Sequence, residues 1–296
     1  MAALNREQWQ RFAHATEWSP RFYEGTRNGS SLHHSNWGRF DDPSGIVYHR
    51  YSMMQGQQES FVCGLFEQMS ERGHDSMLER DWAHLLARLY TPLRFPFYGL
   101  KMMSARLMMA GPVDPISNCA AYQAGDHIRW IDHTAYRTAE LKQTFQDVGF
   151  GVNERKAWET DPVWQPLREL VEKAMAIRDW GELFAVLNLV VKPSIEEGMM
   201  SALADAASRC GDNVLSMLTN SQLSDARRHK DWSRALVSLA LEESGNRIVL
   251  LDWINKWMPL ATTAIETYCR ELPDGETLAT RARIFINSSQ KSMGIA

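Results

Sequence analysis

In the run Ser224-Asp225-Ala226-Arg227-Arg228-His229 a histidine follows an alanine at the i, i+3 spacing. With an acid in the alanine's place, that spacing would send two side chains from one helix face toward one metal ion. A second run, Gln123-Ala124-Gly125-Asp126-His127, repeats the spacing and again puts alanine in the acid position. A carboxylate-bridged iron pair in a helix bundle takes two Glu-x-x-His pairs and one further Glu from each of two other helices. The carboxylates balance the charge of the metal and bridge the two ions. Ala124 and Ala226 do neither, so the pattern has the histidines of a carboxylate-bridged iron pair without its acids.

The two lone acids should come from helices about one bundle length upstream of each histidine. Before His229 the inward stripe reads Ala185, Asn188, Lys192, Ile195, Met199 and offers a lysine. Before His127 the comparable stretch is TPLRFPFYGL, with Arg94 and no acid. A cation there can replace the charge a metal would supply, and it repels a metal from the same cavity. Glu71-x-x-His74 has the spacing but is interrupted by Gly73, and Asp81-x-x-His84 reads as a surface face. Two accounts of His127 and His229 stay open. Either they belong to an altered metal set with Asp126, Glu196 and Asp225, or they are buried histidines bonded to polar neighbours, the commoner case.

Both histidines need helices to carry them, and the chain reads as all-α. Leu218, Gln222, Asp225, His229, Trp232, Leu236 and Leu239 recur at steps of three or four, as do Ala120, Ala124, His127 and Ile131. Helices are expected from Asp42-Pro43 to Gly73, over 77–90, 97–110 and 115–148, from Asp161-Pro162, and over 179–209, 212–242, 246–271 and 276–287. Pro193 predicts a kink. Residues 1–41 carry glycines, a proline and seven aromatics without periodicity and read as an extended arm. That arm either covers its own bundle or grips a partner. The expected organisation is the arm 1–41 and a single helical domain 42–296.

Composition removes other classes. Of 296 residues, 44% are hydrophobic and 23% charged, with a net charge of −4, so there is no basic stripe for nucleic acid. There is no apolar run long enough for a membrane span and no signal-peptide pattern. The cysteines Cys63, Cys119, Cys210 and Cys269 are too scattered for a zinc ribbon and read as thiols of a reducing, cytoplasmic protein. Phosphate loops and a nucleophile elbow are missing.

The segments WGRFDDPSGIVYHRYSMMQGQQESFVCGLFEQM, PLRFPFYGLKMM, AAYQAGDHIRWIDHTAYRTAEL, WETDPVWQPLRELVEKAMAIRDWGELFAVLNLVVKPSIEE and DARRHKDWSRALV, in that order, cover most of residues 37–240. Together they resemble the β subunit of bacterial multicomponent monooxygenase hydroxylases of the toluene, phenol and alkene oxidising group. The resemblance implies a ferritin-like long-helix bundle with extra helices, no catalytic, cofactor-binding or metal-ligating residues in this chain, and a di-iron centre in a partner α subunit. It also implies a paired αβγ assembly, an effector protein and NADH-fed electron-transfer components, with neither nucleic acid nor membrane as partner. Aligned with the family's iron motif, His127 stands either at the histidine position after Ala124 or at the acid position with Trp130 at the histidine's. Both registers leave that half incomplete. A free-standing metalloprotein with an altered ligand set is the alternative.

Overall fold

The structure is a computed structural model that describes residues 29–292, with side chains through residue 284. Its elements are α1 (Tyr48–Glu71), α2 (Arg80–Leu85, continuing through a π turn Leu86–Tyr90), α3 (Arg94–Ala110) and α4 (Asp114–Thr144). Two short helices follow, α5 (Glu154–Thr160) and α6 (Gln165–Met175). Helix α7 joins Trp180–Ala185, π turns Val186–Val191 and Ser194–Met200, and Ser201–Arg209. Then come α8 (Asn213–Ala240), α9 (Asn246–Arg270) and α10 (Gly275–Ser292). No strand occurs among the described residues.

Four of these helices close a ring. α3 packs on α4, α4 on α8, α8 on α7, and α7 on α3. Short connections make α3–α4 and α7–α8 antiparallel hairpins. α9 covers α6 and α7, α10 lies on α9 and α7, and α1 runs along α8. The stripes read from sequence face inward. Leu218, Gln222, Asp225, His229, Trp232, Leu236 and Leu239 are all buried, as are Ala185, Asn188, Lys192, Ile195 and Met199. Trp164, whose indole donates to the Arg88 carbonyl at 2.9 Å, packs in the same core.

Several boundaries differ from expectation for identifiable reasons. Asp42 opens a turn instead of a helix: its carboxylate accepts from the amides of Ser44 (3.0 Å) and Ile46 (3.3 Å), and α1 starts at Tyr48. Pro96 does not break the chain, because it sits in the first turn of α3, where its missing N–H leaves no bond unmade. The helix expected from Asp161-Pro162 begins at Gln165 as α6, and a short helix that was not expected, α5, ends just before that pair. Pro193 lies between the two π turns of α7. Its ring and absent N–H disrupt the ordinary ladder, and the backbone absorbs this by widening to i→i+5 bonding.

Of the arm 1–41, residues 1–28 lie outside the described residues. From Ser30 onward it lies on its own bundle. The Ser30 hydroxyl donates to Asp179 at 2.6 Å, the His33 amide to Asn246 at 3.2 Å, and Trp37 meets Trp180 edge-on at 5.2 Å. All four cysteines are free thiols. Among the described residues, no helix is long and apolar enough to cross a membrane.

Candidate functional site: a buried charge relay at the bundle centre

All four ring helices send polar side chains to the middle. α7 supplies Lys192 and Glu196, one turn apart on its π-widened stretch. The Lys192 ammonium donates to Glu196 Oε1 and also lies 2.9 Å from His229 Nδ1 on α8. An ammonium has only protons to give, so His229 Nδ1 must be the acceptor. The other ring nitrogen then carries the hydrogen, and Nε2–H donates to Asp126 Oδ2 on α4 at 2.8 Å. One tautomer satisfies the whole line from Glu196 through Lys192 and His229 to Asp126.

Asp126 is fully buried and collects further donors. The Tyr51 hydroxyl (2.9 Å), the Gln55 amide (2.9 Å) and Arg129 (3.3 Å) reach Oδ1, and Arg228 reaches Oδ2. Asp225 accepts from Arg129 (3.4 Å), the Trp130 indole (3.3 Å) and Gln58 (3.3 Å). Arg129 continues outward to Glu59 at 2.6 Å, which also holds His133 at 2.9 Å. Four carboxylates and three fixed cations therefore share one connected network. Gly125 is needed for it, since a Cβ there would stand 2.6 Å from the Tyr51 hydroxyl oxygen.

Burial sets the protonation of the centre. It pushes the His229 imidazole down to about 3, aided by the Lys192 charge. Burial also takes His127 well below its ordinary value, with Lys192 and His229 adding to the effect. Both rings are neutral at physiological pH. Burial lowers Lys192 as well, with the Glu196 charge opposing it, and raises Asp126 against the pull of Arg228.

The α3–α4 side of the centre is built differently. His127 Nδ1 lies 3.4 Å from the Ser104 hydroxyl, which gives its own hydrogen to the Leu100 carbonyl at 2.8 Å. The serine oxygen is thus the acceptor, and His127 Nε2 keeps a buried lone pair with no partner. Trp130 stands edge-on to His127 (5.1 Å) and to Phe97 (5.4 Å), and His127 lies 5.7 Å from His229.

The expected residues are thus sorted. His127, Glu196 and His229 place their ligand atoms within 4.8 Å of one another, the Lys192 ammonium among them. Asp126 and Asp225 belong to the outer network: Asp126 backs the His229 ring, and Asp225 accepts from the Trp130 indole and Arg129. Ala124 and Ala226 are buried where acids were looked for. Arg94 is a correction: it lies at the start of α3 over the Phe95 ring, 3.6 Å from Glu154, while Ser104 is what α3 presents to His127. The arginine was selected for its distance from His127 along the chain, and Ser104 lies nearer because the α3–α4 turn is tight. His74 follows the end of α1 and bonds Asp75 and the Gly211 carbonyl, and Asp81 and His84 are exposed. Tyr51, Gln55, Gln58, Arg129 and Arg228 went unread. The first three form an i, i+4, i+7 polar stripe on α1, a signal visible in the sequence.

A dinuclear metal centre does not fit these residues. Among the described residues Glu196 is the one carboxylate grouped with ligand atoms of both rings, and a cation already takes its charge.

Residues 13–244 match the family described as Methane/Phenol/Alkene Hydroxylase. The chain is 49% identical to the β subunit of the toluene-4-monooxygenase hydroxylase component of Ectopseudomonas mendocina, over 83% of this chain and 76% of that one. It is 24% identical to an oxygenase component of phenol 2-monooxygenase from Pseudomonas sp., over 89% and 80%. The solved structure of toluene 4-monooxygenase with toluene in its resting active site superposes with a TM-score of 0.84 at 48% identity, covering 86% of this chain and 84% of that one. Xenon-pressurised phenol hydroxylase from Pseudomonas sp. OX1 shares the fold, with a TM-score of 0.83 at 21% identity over 90% and 81%.

Proposed function

The chain belongs to the methane/phenol/alkene hydroxylase family, and from the centre of its bundle we infer its share of that chemistry. It is a β-type subunit of the hydroxylase component of a multicomponent monooxygenase, an oxidoreductase complex, with a ferritin-like all-α fold. We propose that it serves assembly and not oxygen activation. Its own bundle holds no iron, and the di-iron centre sits in an α subunit that it positions in a paired αβγ hydroxylase. An effector protein and NADH-fed electron carriers serve that assembly in the cytoplasm. The hydrocarbon oxidised is an aromatic one, as in the relative at 49% identity.

One observation carries this reading: the Lys192 ammonium bonds Glu196 and His229 at the point where a metal would have to stand. Two others agree with it. The outer faces of α1 and α4 expose Tyr48, Met53, Phe61, Ile128 and Tyr136, apolar area suited to a subunit contact. The free thiols suit a reducing compartment. The test is His229→Ala in the co-produced hydroxylase. Iron per assembled complex should stay at the wild-type value, and a loss of iron in proportion to the variant chain would refute the reading.

A further inference from the structure

Lys192 blocks the site at the bundle centre, but the side chains around its ammonium are already arranged as ligands. His229 presents the Nδ1 lone pair because Asp126 holds the hydrogen on Nε2. A carboxylate on the far ring nitrogen is how metal-binding histidines are fixed and made more basic. His127 presents the Nε2 lone pair because Ser104 takes its Nδ1 hydrogen, and that lone pair is buried and unpartnered. Glu196 adds a carboxylate oxygen 4.0 Å from His229 Nδ1. Two imidazoles and one carboxylate, with the fourth position open, form a common tetrahedral set for zinc-like ions. Such an ion needs its N and O ligands roughly 3.3 Å apart. The observed separations are at most 4.8 Å, so each pair would have to close by about 1.5 Å or less.

We propose that His127, Glu196 and His229 form a mononuclear site for a divalent transition-metal ion, which Lys192 plugs, and that an uncharged side chain at position 192 opens it. The ammonium and the metal compete for the His229 lone pair and the same carboxylate, so only one can be present. The iron pair of the family needs more acids than this chain retains, whereas a single ion does not. The proposal goes beyond the assembly role: iron inside the wild-type chain would defeat that role, while a failure here leaves it standing.

The test uses the assembled hydroxylase containing Lys192→Met, crystallised, equilibrated with cobalt(II) chloride and measured at the cobalt absorption edge. Location by diffraction separates this site from iron in any partner subunit. The expected result is one anomalous peak bonded to His127, Glu196 and His229 in the variant, with none in the wild type. Cobalt should also raise the unfolding temperature of Lys192→Met and leave the wild type unchanged. Adding Glu196→Gln should abolish the peak. If Lys192→Met does not assemble, Lys192→Gln, whose amide keeps a hydrogen bond to Glu196, takes its place in the same measurement. An assembled variant without a cobalt peak overturns the proposal, as does an equally strong peak in the wild type.

Discussion

The two halves of the bundle centre both carry an alanine, Ala124 or Ala226, three residues before the histidine, and they are built in opposite ways. The α7–α8 half is ionic: Lys192 neutralises Glu196 and feeds through His229 to Asp126 and two arginines. On the α3 side the surroundings of His127 are neutral, with Phe97, Trp130 and Ser104 around an uncharged ring, while α4 turns Asp126 and Arg129 toward the ionic half. A cavity built for cations can be kept by supplying a different cation or filled by making its wall apolar. The first solution is fragile to single changes, because each charge is buried on account of its partner. The second resembles ordinary core packing and should tolerate volume-conserving change.

That contrast sets the order of effects. The largest should come from Lys192→Met, which strands Glu196 without its cation. A loss of about 3–5 kcal/mol is expected, read as faster hydrogen exchange of the α7 and α8 amides in the assembled hydroxylase. Pairing it with Glu196→Leu should restore stability to within about 1 kcal/mol of wild type, because removing both charges removes the desolvation penalty too. A double variant as weak as the single one would contradict the ionic account of that half.

Phe97→Leu should cost about 1–2 kcal/mol through lost contact with Trp130, measured as a lower calorimetric unfolding temperature. A larger loss than that of Lys192→Met would reverse the comparison.

An ion pair at the end of the bundle gives the reference value. Asp75 is gripped by both guanidinium nitrogens of Arg137, at 2.7 and 2.6 Å, and by His74 at 3.1 Å. Burial raises its carboxyl, but His74 and Arg137 outweigh that and hold it at about 2. The folded value lies below the unfolded one, so its contribution is present above pH ~4 and is lost as pH falls toward 2. Asp75→Asn should lower stability at pH 7 by about 2 kcal/mol and flatten the acid limb between those values in a pH series of unfolding temperatures. An unchanged acid limb would show that the pair is not ionised as drawn.

The smallest effect should be that of His127→Leu, within about 1 kcal/mol, because it removes an unpartnered lone pair along with a weak bond to Ser104. A loss comparable to that of Lys192→Met would show that the neutral half depends on the ring.

Much of this contrast can be read along the chain, and the missing part has a physical reason. The period of 3.6 places His229, Asp225 and Lys192 on inward faces, since helical spacing is local information, whereas the stripe read around Lys192 ran through Ile195 and left Glu196 out. The pairing of Lys192 with Glu196 follows from the i, i+4 rule. The link from His229 to Asp126 bridges two helices 103 positions apart and depends on how α4 and α8 rotate against each other. Such rotation is a tertiary quantity, which is also why Ser104, not Arg94, faces His127. The π turns around Pro193 were out of reach for a similar reason. A proline announces a disturbed ladder, but whether the helix kinks or widens is decided by the packing of α8, α9 and α10 around it.

Diffraction at the iron absorption edge from crystals of the assembled hydroxylase tests the central claim most directly. It locates iron subunit by subunit without altering any residue. Anomalous peaks confined to a partner subunit, with none between His127, Glu196 and His229, are the predicted result. Iron bound by those three side chains in the wild-type chain, with Lys192 swung away from His229, would contradict the account.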